Sequence, residues 1–91
     1  MDILASFIES CIEIDYNDSN TISAQELFAL YGVWAKKNNE YEMTSRKFFI
    51  EIAKRLPEKI RRGSGIFYPK IKETEYAKEL KGKQYNFSDF N

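Results

Sequence analysis

Residues 44–68 read TSRKFFIEIAKRLPEKIRRGSGIFY, and the fold turns on how this stretch divides. In its first half Phe48, Phe49, Ile52 and Leu56 recur at the three- and four-residue spacing of one helix face, with Ile50 and Ala53 beside them. Arg46, Lys47, Glu51, Lys54 and Arg55 fall mostly outside that face. Thr44 or Ser45 supplies a cap for the first N–H groups. Pro57 disfavours helical geometry in the residue before it and has no N–H of its own, so the helix is expected to stop near Leu56. The second half changes period. Lys59-Ile60-Arg61-Arg62 and Ile66-Phe67-Tyr68 are short extended runs on either side of Gly63-Ser64-Gly65, which reads as a β-hairpin. Pro69 marks the second strand as an edge or as its end, although Ile71 can extend it.

Upstream, residues 2–14 read as a first helix capped by Asp2. Ile3, Phe7, Cys11 and Ile14 carry the apolar stripe, widened by Ile8 and Ile12, and Glu9 and Glu13 lie on the wet side. Asp15-Tyr16-Asn17-Asp18-Ser19-Asn20 is a loop by composition. Ser23 and Glu26 form a capping box that opens a second helix over about 24–38. Its broad apolar face is Leu27, Phe28, Leu30, Tyr31 and Trp34. Lys36 and Lys37 suit the negative end of its dipole, and Asn38-Asn39 ends it.

Downstream, residues 73–80 suggest a last short helix with Thr74 as its cap. The tail from Lys81 shows little periodicity, and its Tyr85, Phe87 and Phe90 either dock on the body or stay loose. Neither a repeat nor a linker divides the chain. One domain over 1–80 followed by a tail over 81–91 is therefore expected. Ninety-one residues make only a modest core, but the 15% aromatic share supplies area that length cannot.

The order helix, helix, helix, hairpin implies a mainly α (α+β) fold. The third helix begins only about five residues after the second ends, which matches a helix-turn-helix. A basic hairpin directly after it is what a winged helix-turn-helix adds, giving three helices followed by a β-hairpin wing.

The formal net charge is zero, yet the charges are segregated. Residues 1–35 hold six acidic groups and no Lys or Arg. Residues 36–72 hold eleven Lys or Arg against four Glu, and 73–91 hold three Lys against four acids. An acidic half joined to a basic half points to an anionic partner. The single Cys11 excludes an internal disulfide and sits in an apolar stripe, as a buried, inert thiol does. Histidine is absent, which removes the commonest general base and metal ligand, and no nucleophile–base pair is arranged. A non-catalytic module with no metal and no cofactor is expected. Without a long apolar run or a positive leader after Met1, neither a membrane span nor a signal peptide is legible, and a cytoplasmic protein is expected.

In a winged helix-turn-helix, the third helix enters the major groove of DNA by its N-terminal end. That end presents Thr44, Ser45, Arg46 and Lys47. The hydroxyls and helix terminus suit phosphate, and the planar fork of Arg46 suits guanine. Lys54 and Arg55 can track the backbone. In the hairpin, Arg61 and Arg62 lead to a tip small enough to approach a sugar–phosphate chain, with Ser64 in it and Lys59 and Lys70 flanking. Phe67 is read as core. For Tyr68, core packing and stacking on an unpaired base stay equally open. The partner is DNA, duplex or single-stranded.

With these residues in view, the sequence resembles the C-terminal winged-helix domain of phage-type primase/helicases, the poxvirus primase–helicase-like group. The marks span roughly residues 7–72. They are Phe7-Ile8-Glu9-Ser10-Cys11, then Glu26-Leu27-Phe28-Ala29-Leu30-Tyr31 with Trp34, then Thr44-Ser45-Arg46-Lys47-Phe48, and Lys59-Ile60-Arg61-Arg62 before Tyr68. The resemblance implies a DNA-binding appendage of a replication protein whose primase or helicase core lies upstream in the same parent chain. No Gly-x-x-x-x-Gly-Lys-Ser/Thr loop or acidic primase cluster occurs in these 91 residues. The acidic first helix implies a face turned away from the duplex.

Two other classes fit parts of the chain. Asp15 to Glu26 matches an EF-hand loop, with Asp15, Asn17, Ser19, Ile22 and Glu26 at positions one, three, five, eight and twelve. Against calcium, position six is Asn20 where the turn wants Gly, and only Asp15 and Glu26 would be direct carboxylate ligands. A protein-interaction module using the acidic helix or the aromatic tail is the other alternative.

Overall fold

The computed structural model describes the backbone of residues 2–17 and 19–89 and side chains as far as Gly82. The elements run α1 (Ile3–Cys11), β1 (Ile12–Ile14), β2 (Thr21–Ser23), α2 (Ala24–Lys37), α3 (Ser45–Ile52), β3 (Ile60–Arg62), β4 (Gly65–Pro69), β5 (Ile71–Glu73) and α4 (Glu75–Asp89). The fold of the described residues is α+β, with four helices and two small antiparallel sheets.

All four of these helices carry the caps that their sequences specify. Asp2 accepts from the Ala5 N–H, Ser23 from Glu26 and Thr44 from Lys47, and in α4 the Thr74 hydroxyl accepts from the Ala77 N–H. The first helix is shorter than the 2–14 stripe suggested. Ile12 sits at φ −122°, ψ 137°, and Ile12-Glu13-Ile14 forms a strand against Glu73-Lys72-Ile71. An alternating triplet with two β-branched ends suits a strand better than a helix terminus once a partner is available. The third helix ends at Ile52 rather than Leu56. Its chain tightens through i→i−3 bonds from Lys54 to Glu51 and from Arg55 to Ile52, just ahead of the Pro57 that disfavours helix at Leu56.

The expected hairpin forms as β3–β4, with Arg62 opposite Gly65 across a two-residue turn of Gly63 and Ser64. Gly65 has φ +137°, a conformation L side chains rarely adopt. Pro69 ends β4, but β4 is no edge: it lies between β3 and β2 in the order β2-β4-β3. Ile71 does not extend it. Lys70, at φ +63°, turns the chain out of one sheet and into the other, where β5 meets β1.

The core joins both layers. Phe7 of α1 meets Tyr31 and Trp34 of α2 edge-on at 5.4 and 5.6 Å, and Phe48 of α3 lies 5.0 Å from Tyr31. Leu27, Leu30, Ile52, Ile71, Ala77 and Leu80 are buried with them. Ile50 and Ala53, expected beside that face, are exposed. The last helix extends well beyond 73–80 and packs on α1 and α2 through its first turns. The side chains of Tyr85, Phe87 and Phe90 lie outside the described residues. No described helix is long and apolar enough to cross a membrane.

Candidate nucleic-acid interface

α3 begins after a seven-residue connection whose conformation is fixed from both ends. Asn39 takes φ +55°, and the Glu40 N–H returns to the Ala35 carbonyl at 2.8 Å, which closes α2 with a left-handed residue. The buried Tyr31 then reaches across: its hydroxyl donates to the Tyr41 carbonyl and accepts from the Met43 N–H. Burial pushes the Tyr31 phenol above its ordinary pKa, so it stays protonated and able to donate. The start of α3 is thus held rigidly, with Thr44 at φ −64°, ψ 157° as its cap.

Thr44, Ser45, Arg46 and Lys47 are all exposed in that first turn. The Thr44 Oγ1 accepts the Lys47 N–H at 3.3 Å, and its proton stays available to an outside acceptor. Neither Arg46 nor Lys47 has an ion-pair partner among the described residues. Beside them lies an open hollow lined by Asp2, Met43, Lys47, Glu51 and Arg55, among others; its two carboxylates offset its two cations, so it is no anion pocket.

The hairpin presents a second group. Lys59, Arg61, Arg62 and Ser64 are exposed. The Arg62 guanidinium lies 5.3 Å from the centre of the Phe67 ring, a cation–π arrangement that holds the arginine along the strand. Lys59 and Arg61 are without ion pairs among the described residues.

The other basic residues expected at the interface have partners inside the molecule. Lys54 pairs with Glu51 at 3.3 Å and Arg55 with Asp2 at 2.7 Å. Lys70 stands at the end of β4 opposite the turn and donates to the Tyr16 carbonyl at 3.2 Å. Tyr68 is a correction: it is 1% exposed and part of the core, so its ring is not available to stack on a base. Phe67, expected in the core, is half-buried beneath Arg62 instead.

The Asp15–Asn20 loop is stitched to the turn at Lys70. Asp15 donates to the Lys70 carbonyl, Lys70 donates to the Asn20 carbonyl, and the ammonium bonds Tyr16. Glu26 is exposed at the start of α2, and among the described residues no three Asp, Glu, Cys or His side chains converge as a metal site. Cys11 is buried, and its thiol is pushed up to about 12 by desolvation, with the charge of Glu73 adding to it. It is therefore no nucleophile.

Among protein families, the model of the poxvirus D5 protein-like family matches residues 1–91. The chain belongs to that family. The match covers every element described above and bears out, at the level of the family, the resemblance to the poxvirus primase–helicase-like group. No curated protein and no solved structure matches the chain.

Proposed function

We propose that this member of the D5 protein-like family is a winged-helix module that binds DNA, and that it serves as the DNA-binding part of a larger replication protein with a primase or helicase core. The carrying observation is the three-stranded sheet. A strand between the first two helices, Thr21–Ser23, closes onto the outer edge of the basic hairpin that follows α3. Helix, strand, helix, helix and two-stranded wing, tied into one sheet, is the arrangement of winged-helix modules. In that arrangement α3 is the recognition helix and the β3–β4 hairpin is the wing. Arg46 and Lys47 then face the major groove, while Arg61, Arg62 and the turn at Ser64 follow the adjoining backbone.

The interface narrows to the basic residues that the fold leaves free. Lys54, Arg55 and Lys70 are engaged within the molecule and act on the fold more than on the ligand. Every cation that displaces counterions from phosphate makes binding fall with salt, by about 0.9 in the log–log slope per duplex phosphate. The test is fluorescence anisotropy of the 91-residue chain with a labelled duplex, and with the matching single strand, over a range of salt. Duplex affinity is expected to fall steeply with salt and to collapse in the triple variant R46A/R61A/R62A. Preference for the single strand would relocate the interface, and absence of binding to either strand form at low salt would overturn the reading.

A further inference from the structure

Ile50 is a large apolar side chain, 53% exposed, on the outward face of a helix whose inward face is already filled by Phe48 and Ile52. It follows Arg46 by one turn. At 3.6 residues per turn it projects between Arg46 and Lys47, two cations without ion-pair partners among the described residues. Isoleucine is a costly choice there. It exposes apolar area, and as a β-branched residue it supports an isolated helix turn less well than the Lys, Glu or Leu that would serve a plain solvent face. Ile50 does not continue the core: it is exposed, and the residues one turn before it on that face, Arg46 and Lys47, are charged and exposed.

We propose that Ile50 is a base-reading residue: it packs on the C5-methyl of a thymine in the major groove, beside a guanine engaged by Arg46. The inference rests on the DNA-binding reading above and adds to it a specificity that phosphate contacts cannot give. The major groove offers one apolar group, the thymine methyl, and an apolar side chain between two cations matches a methyl between phosphate-rich walls. Arg46 on the same face brings the fork that suits the O6 and N7 of guanine. The recognised step is thus a guanine followed or preceded within a base or two by thymine.

Selection of bound duplexes from a randomised library by the full chain supplies the probe. Each thymine of the selected site is then replaced by deoxyuridine, which removes the methyl and leaves base pairing intact. One position is expected to weaken binding about fourfold, the share that a single buried methyl-sized group carries. That penalty is expected to vanish in Ile50→Ala, while Ile50→Val, which keeps a branched apolar tip, retains part of it. Binding that is undiminished by deoxyuridine at every position, or a selection that returns no preferred site while duplex is bound, overturns the role of Ile50 and leaves the DNA-binding reading standing. Failure to bind any duplex overturns that reading instead.

Discussion

Phe67 and Tyr68 are neighbours on one strand, and pleating sends them to opposite faces. Tyr68 is fully buried and Phe67 lies under the Arg62 guanidinium. Read from the sequence, Phe67 belongs in the core and Tyr68 stays open; the strand's phase makes Tyr68 the core ring instead. The same distinction separates the arginines. Arg46 and Arg61 are free among the described residues, whereas Arg55 bonds the Asp2 carboxylate at 2.7 Å. The hydrogen bond from Arg55, then the Ala5 N–H, holds the Asp2 carboxyl below its ordinary value of 3.8. A depressed folded-state value means the contribution to stability is present above the ordinary value and is lost as pH falls through the lower one. Both side chains are partly exposed, so the contribution is small. Carboxyl NMR shifts followed against pH are expected to give Asp2 a midpoint below 3.8, moving upward in Arg55→Ala. A midpoint that does not respond to Arg55 contradicts the pairing.

At the scale of elements, the connection between α2 and α3 sets where the basic end of α3 points. Its brace is a single hydroxyl. Tyr31 gives a proton to the Tyr41 carbonyl and takes one from the Met43 N–H, and its ring is wedged against Phe7 and Phe48. Tyr31→Phe keeps the ring and removes both bonds. A lost bond that leaves a partly buried carbonyl unmatched costs about 1–3 kcal/mol, read as a lower urea midpoint at unchanged slope. Because the loosened segment leads directly into Thr44, DNA affinity is expected to drop as well, although Tyr31 is buried and touches no ligand. A variant that is destabilised but binds duplex with unchanged affinity would show that the α3 start is positioned by its own packing alone. The second connection works differently. Lys70 at φ +63° turns β4 into β5, and its backbone bonds Asp15 and Asn20 while its ammonium bonds the Tyr16 carbonyl.

For the whole molecule, the four helices and the hairpin were legible because each carries a local signature: a cap, a stripe of the right period or a glycine turn. The sheets were not. Ile12–Ile14 and Thr21–Ser23 are three-residue strands, too short for any period to declare itself, and their partners lie more than forty residues away. The strand that ties the wing to the body was therefore invisible until the chain closed on itself, and Ile12 and Ile14 passed for the end of a helix stripe. The basic ends of the site were legible as composition, but which cations are free depends on partners such as Asp2 and Tyr16 that only the tertiary fold supplies. Thr74 shows the same closure in one residue. Its hydroxyl donates to the Ser10 carbonyl at 2.7 Å, a terminal group of α1, and accepts the Ala77 N–H at 3.2 Å at the start of α4. Its own N–H reaches the Cys11 carbonyl at 3.0 Å. One side chain thus ends the first helix and begins the last, across 64 positions of sequence. Thr74→Val preserves shape and backbone bond but removes both hydroxyl contacts. The lost cap costs about 1 kcal/mol, and the unmatched α1 carbonyl about as much again. Thermal unfolding of a domain this size is expected to shift down by roughly 8–16 °C for the sum, while Thr74→Ser stays near the parent. Equal melting of the valine and serine variants would mean that α4 is held by Ala77 and Leu80 packing and that the hydroxyl contributes nothing measurable.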